Sequence, residues 1–450
     1  KSYGDFVSVY KGRYVAALWD KNRRYLYVYQ DLLAKKFVYY YHQNNCFICA
    51  TSYYEILDYI KSHQLPCQLD EEGIGQMLQL GRFVDHHTYI KEIKFLRAFE
   101  WIEYSSGTLH VNRLPYPQPI SQISLEQACD EAYRLFQEAA KCQIKKNERE
   151  NKRHIVSLSG GMDSRAIFLQ LIQNGAADII SYCYAQRNSV DQLVAEQIAR
   201  DYHTEHIFYP LDGGMFVAQR EAMMAQNEGQ MYYCGATGML ACMQGVDNTH
   251  AGLVHMGIGG GEILGDIISA QTEVPHQEFP KKSYQINLND IRCCQNSVYT
   301  VSDRFECASP FLYEDFFLYL MRLPAQIKQK RRLYVEIYNK YMYNSYETTA
   351  FRGKIGKKRS LLSKIFHYVK VELLKKDRFS MNPFAYWWVQ NPAFKTYIQS
   401  TFELDKRKLK TLGYDTAQLE AICQGDVLAK LRVLTVSAML LHILSKEQHE

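Results

Sequence analysis

Residues 159–164 read SGGMDS, which places two hydroxyls, two adjacent glycines and a carboxylate within six positions. An apolar run containing Ile155 and Val156 leads into them, and helix-period residues Ala166, Ile167, Leu169 and Leu171 follow at once. The order is therefore strand, phosphate-sized loop, helix. The first amides of a helix have no intrahelical partner and the helix dipole is positive there, so a glycine-rich entry lets backbone close on phosphate oxygens. Ser157, Leu158, Ser159, Gly160, Gly161 and Ser164 are the candidate nucleotide-binding residues of this loop. Asp163, acidic among groups suited to an anion, makes sense if Mg²⁺ accompanies the phosphate. The loop has no lysine and is not the GxxxxGK[ST] pattern. The plain alternative is a βα turn with aspartate and serine as local caps.

A second glycine run answers the first. Residues 257–265 read GIGGGEILG, directly after an apolar strand at 253–256. Five glycines in nine residues allow backbone to approach a ligand closely. Gly257 is a candidate nucleotide contact, and Glu262 is the acid available to share a metal with Asp163.

The elements that would hold these loops divide into two predicted domains. Residues 1–118 carry β-branched and aromatic runs with polar breaks (12–20, 25–31, 37–42 and 46–51), the spacing of an antiparallel sheet, and a helix at 52–62. Prolines at 115, 117 and 119 punctuate a linker. From 119 onward strands alternate with helices: a helix at 125–145, the loop strand, a strand at 179–184, a helix at 190–202 and a strand from 206. That alternation predicts an α/β, doubly wound parallel sheet with the ligand at the strands' carboxyl ends. The rest, from about 309, is helical and ends in a helix at 426–444 expected to be amphipathic. Asp191 reads as a helix cap.

SGGMDS resembles the SGGxDS loop of the PP-loop ATP pyrophosphatases, and LSGGMDSR in this setting is most similar to the asparagine synthetase family. The resemblance implies cleavage of ATP between its α and β phosphates, release of pyrophosphate and adenylation of a carboxylate that an amine then attacks. It implies that Ser181 and Tyr182 line the adenosine side, and that a lysine of the 351–358 loop, Lys357 first and Lys354 second, stabilises charge in the transition state. Either may instead be a solvated surface lysine. The order of elements in residues 1–118 is similar to the second half of an Ntn-type glutaminase domain. The chain opens Lys-Ser-Tyr, so the cysteine nucleophile of that domain is missing and no glutaminase activity is expected. In the second loop the family carries two acids; aligned by glycines, Ile258 and Gly261 stand at those places. The resemblance therefore implies either an ATP-dependent carbon–nitrogen ligase, acting on a small-molecule or peptide carboxylate with ammonia or a substrate amine, or a degenerate homologue that binds nucleotide or a partner chain.

The 450 residues exceed one ordinary core. A net charge of +5 is too small to name a partner, although basic residues gather between 326 and 378. That basic run could form a positive wall for ATP or an acidic substrate, or a solvated face. No nucleic-acid-reading pattern is present, and the apolar stretch 433–444 is too short to span a bilayer. The 12 cysteines show no paired zinc spacing. Cys46 and Cys49 read as strand packing residues, and with an ATP site they favour a reducing cytoplasm. A homodimer, or a small subunit completing the N-terminal domain, is the expected partner, since a half-domain should leave an exposed sheet edge.

Overall fold

The computed structural model describes residues 2–233, 237–264, 292, 295–342 and 380–445. Lys354 and Lys357, and most of the basic run, lie outside the described residues.

Two antiparallel sheets form the N-terminal part. One has the order β1-β2-β6-β7, from β1 (Val15–Asp20), β2 (Tyr25–Gln30), β6 (Glu100–Ser105) and β7 (Thr108–Arg113). The other has the order β4-β3-β5, from β3 (Tyr39–Gln43), β4 (Cys46–Ala50) and β5 (Ile93–Phe95). Val28 and Ile102 of the first sheet meet Tyr40 of the second, with Val38 and Leu96 at the ends of its strands, in a small apolar cluster. The expected helix is present at Tyr53–Ser62, with Ser52 accepting the Glu55 amide as its cap. Two further helices, Tyr3–Val9 and Glu71–Leu80, lie outside the runs named from the sequence. The first is set by a capping box in which Ser2 and Asp5 exchange side-chain and backbone bonds, a signal hidden among the aromatic residues around it.

The second part is a five-stranded parallel sheet in the order β10-β9-β8-β11-β12, built from β8 (Arg153–Ser157), β9 (Ile179–Ala185), β10 (Glu205–Pro210), β11 (Ala251–His255) and β12 (Cys307–Ala308). Counted within this sheet the order is 3-2-1-4-5, so the strand order reverses between β8 and β11. In open α/β sheets ligands bind at that switch point, outside the carboxyl ends of the strands. Successive residues of a strand face opposite sides, and the core obeys this. Val156 and Cys183 pack into the large cluster with the loop helix Met162–Gln173 and the helix Val190–Asp201, whereas Ile155 and Tyr182 join Met239, Met243 and Val301 on the other face. Helices thus cover both faces, which defines the doubly wound class.

The helix Leu125–Glu150 runs one turn and more past its expected end, because the charged residues closing it continue the helix to an Asn151 cap in the left-handed conformation. The final helix, Val427–Leu444, differs from expectation in another way. It is long and apolar enough to cross a membrane, yet 61% of it is buried inside the fold. Val433, Leu434, Val436, Met439 and Leu440 are all inaccessible, so it is a core helix apolar on most sides rather than an amphipathic surface helix. Asp405 and Arg220 are buried beside it: Arg220 Nη1 donates to Asp405 Oδ2 at 2.5 Å, and the Ser437 hydroxyl donates to the same oxygen.

The two parts are joined by buried polar contacts. Lys35 Nζ donates to Glu314 Oε1 at 2.6 Å, Phe37 stacks on Tyr299 with centroids 4.5 Å apart, and Glu228 accepts the Tyr53 amide at 2.5 Å.

Candidate active site

The SGGMDS loop leaves β8 and enters the helix Met162–Gln173 through Gly161, which caps that helix without a side-chain bond. The loop holds its own shape. Ser159 N–H donates to Ser164 Oγ at 3.1 Å, the two hydroxyls are 2.9 Å apart, and Gly161 N–H donates to Ser159 Oγ at 3.1 Å. Gly160 N–H donates to Asp191 Oδ1 at 3.0 Å. Asp191 is therefore not the cap of its helix; Ser189 is, accepting the Gln192 amide at 3.2 Å. The cap reading of Asp191 gives way to a contact with the loop, in keeping with the resemblance of Ser189-Val190-Asp191 to the family pattern. The reach of Asp191 across to the loop from the following βα unit is a tertiary fact.

Asp163 is the centre of the site. Its Oδ1 accepts the Tyr334 hydroxyl at 2.6 Å and its Oδ2 accepts the Gly261 amide at 3.2 Å. Burial, with Glu262 adding like charge, pushes its carboxyl up to about 6, against the pull of Tyr334 and the Gly261 amide. Glu262 lies in the first turn of the short helix Gly260–Leu264. The two acids picked from sequence are thus brought together from separate loops at the switch point. Tyr338 holds the loop from behind by donating its hydroxyl to the Met162 carbonyl. Tyr334 and Tyr338 went unnoticed in the sequence; their i, i+4 spacing, which sets both on one helical face, was the available signal.

Two glycines of the second loop are required by contact. A Cβ on Gly257 would sit 2.8 Å from the Asp163 carbonyl carbon and the Ser164 nitrogen, and one on Gly260 would sit 2.6 Å from the Asp163 carboxyl. The two loops are pressed together backbone to backbone, which only glycine permits. Gly261, which has no side chain of its own to offer, supplies Asp163 with an amide donor. Ile258 packs in the core and its carbonyl accepts the Ser309 hydroxyl at 2.7 Å.

Ser181 and Tyr182 lie on the strand beside the loop strand. Ser181 is fully buried, its hydroxyl engaged by the Glu205 carbonyl at 3.1 Å and His206 Nδ1 at 2.8 Å of the neighbouring strand. Tyr182 is buried in the core on the far face of the sheet. Register sets the level of both: Tyr182 pairs with Ser157, the last residue of β8, and its carbonyl accepts the Leu158 amide at 2.9 Å, so β9 passes the entry to the SGGMDS loop at Tyr182 and runs on to Ala185.

A doubly wound sheet with a glycine-serine loop at its switch point and two carboxylates facing it defines an α/β protein of nucleotide-binding type. The asparagine synthase family model matches residues 133–383, more than half of the chain, and the chain belongs to that family. No curated protein matches it. Members of the family are ATP-dependent ligases that form amides, and the matched region contains both loops.

Proposed function

We propose that the protein adenylates a carboxylate with ATP, releases pyrophosphate, and passes the activated acyl group to ammonia or a substrate amine to form an amide. The observation that carries this reading is the meeting of Asp163 and Glu262 beside the SGGMDS loop at the switch point of the sheet. Among the described residues no group of three or more potential ligands could by itself hold a metal. Mg²⁺ fits nonetheless, because it is usually bound by one or two carboxylates together with substrate phosphates and water. Asp163 and Glu262 would hold it, and when bound it would neutralise charge on the leaving pyrophosphate.

The chain's own residues do the rest. Loop amides and the hydroxyls of Ser159 and Ser164 grip phosphate oxygens; Tyr334 and the Gly261 amide hold the Asp163 carboxyl in place. Lys357 or Lys354 supplies positive charge to the transition state under this reading. Among the described residues the cysteines are free thiols, which supports a reducing cytoplasmic setting.

Asp163→Asn keeps the shape and removes the charge; its Oδ1 can still accept the Gly261 amide, while its Nδ2 faces the Tyr334 hydroxyl, which must turn to accept. It should lower carboxylate-dependent release of pyrophosphate at least about 100-fold while circular dichroism and thermal unfolding stay unchanged. Release of phosphate and ADP by the wild-type protein would refute the adenylation reading.

A further inference from the structure

The junction between the N-terminal sheets and the parallel sheet encloses a cavity of about 450 Å³, within the range of small-molecule sites. Residues 11–13 and Lys35 form one wall, the helix Leu125–Glu150 a second, and β11, β12 and the segment that follows a third. Ile258 lines it and directly follows Gly257, which is pressed against Asp163 and Ser164. The cavity therefore abuts the nucleotide loop from the N-terminal side.

Its charges are uneven. Lys11, Arg13, Lys35 and Lys146 line it, with Glu306 the acid among the lining residues. Lys11 pairs with Asp315 at 2.9 Å, Lys35 with Glu314 at 2.6 Å, and Lys146 with Glu306. Arg13 has no carboxylate partner among the described residues; its Nε donates to the Lys35 carbonyl at 3.0 Å and its guanidinium lies 4.8 Å from the centre of the Tyr299 ring. One positive charge is left over. The same lining holds buried polar atoms with no hydrogen-bond partner among the described residues: the Nε2 of Gln295, a residue 2% exposed, and the Oε1 of Gln143. A buried donor left unsatisfied destabilises the fold, so a lining that keeps one together with a guanidinium with no ion pair is built for an acceptor. Leu253, Val298 and Leu312 supply an apolar floor.

We propose that this cavity binds a small organic molecule through a single carboxylate held by Arg13 and Gln295, with its hydrocarbon body on the apolar floor. One negative charge balances the one unpaired cation, which favours a monocarboxylate end over a phosphate dianion. The identification of that molecule as the acid substrate rests on the ligase reading; the anion site itself does not.

Cys142 lines the cavity, is solvent-accessible and lies one helical turn from Lys146, so it reports on the site. The test compares alkylation of Cys142 by iodoacetate and by the neutral iodoacetamide in the full chain, with exposed Cys67 as internal reference. At Cys142 the iodoacetate-to-iodoacetamide rate ratio should exceed that at Cys67 at least about fivefold, and 5–20 mM butyrate, but not butyramide, should slow it. Arg13→Gln, and separately Gln295→Leu, should bring the ratio back to that of Cys67 with the fold intact by circular dichroism. Equal ratios at the two cysteines in the wild-type protein, or a ratio unmoved by both variants, would overturn the site. Calorimetric titration with Mg-ATP keeps the two readings apart: loss of ATP binding with preserved selectivity at Cys142 refutes the ligase alone, and the converse refutes the cavity site alone.

Discussion

Replacing Gly257 by alanine tests whether the two glycine loops act as one clamp. The added methyl would lie 2.8 Å from both the Asp163 carbonyl carbon and the Ser164 nitrogen. Both are main-chain atoms of the nucleotide loop, so no side-chain rotation relieves the contact. Overpacking of this kind costs about 1–3 kcal/mol, and because the displaced atoms begin the loop helix, the strain falls on the phosphate-binding amides. If the whole cost appears in binding, Mg-ATP affinity drops by roughly 5- to 150-fold, a factor of ten for each 1.4 kcal/mol. Titration calorimetry reads the affinity and thermal unfolding reads the fold. Gly260→Ala, whose methyl would meet two side chains, the Asp163 carboxyl at 2.6 Å and the Phe311 ring at 3.0 Å, can be relieved by side-chain movement and should act through that carboxylate. Gly75→Ala in the helix Glu71–Leu80 is the control: its methyl meets nothing within 4 Å, and it should stabilise the protein by about 0.5–1 kcal/mol. Wild-type Mg-ATP affinity in Gly257→Ala would refute the clamp.

Two further tests address the frame around the site. His255 lies 1% exposed at the end of β11, its Nε2 3.1 Å from His154 Nδ1, and burial together with His154 depresses its imidazole to about 3. The unfolded chain binds that proton below about 6.5 and the folded chain does not. Stability from this group is therefore complete above about 6.5 and falls by about 1.4 kcal/mol per pH unit as pH drops toward 3. Urea unfolding at successive pH values should show this acid slope, and His255→Gln should flatten it; an unchanged slope would exclude His255 as its source. Asp405→Ala would leave the buried Arg220 guanidinium without its partner and should cost about 3–5 kcal/mol. Asp405→Ala together with Arg220→Met should recover part of that loss in chemical denaturation, and no recovery would show that the pair does not act as a unit.

The local sequence determined the parts whose physics is local. A β-branched run followed by glycines and a helix period gives strand, loop and helix at 153–173 with little dependence on anything else, and alternating strands and helices require a parallel sheet. Asp163 and Glu262 were legible as acids in glycine-rich loops after strands. Tertiary structure decided which residues join them. Asp191 reads as a cap until the next βα unit folds over and sets its carboxylate on the Gly160 amide. Tyr334 lies far along the chain from Asp163 and reaches it only when the helix Arg332–Ile337 packs at the switch point. Ser181 and Tyr182 show what pairing adds, since it sets Tyr182 level with Ser157, where β8 gives way to the loop. Strand register fixes how far along a strand the open edge begins, and register comes from pairing with neighbours, not from the strand itself. The final helix completes the contrast: its apolar composition is written in the chain, but only its burial against Pro392–Thr411 and Glu71–Leu80 makes it core rather than surface.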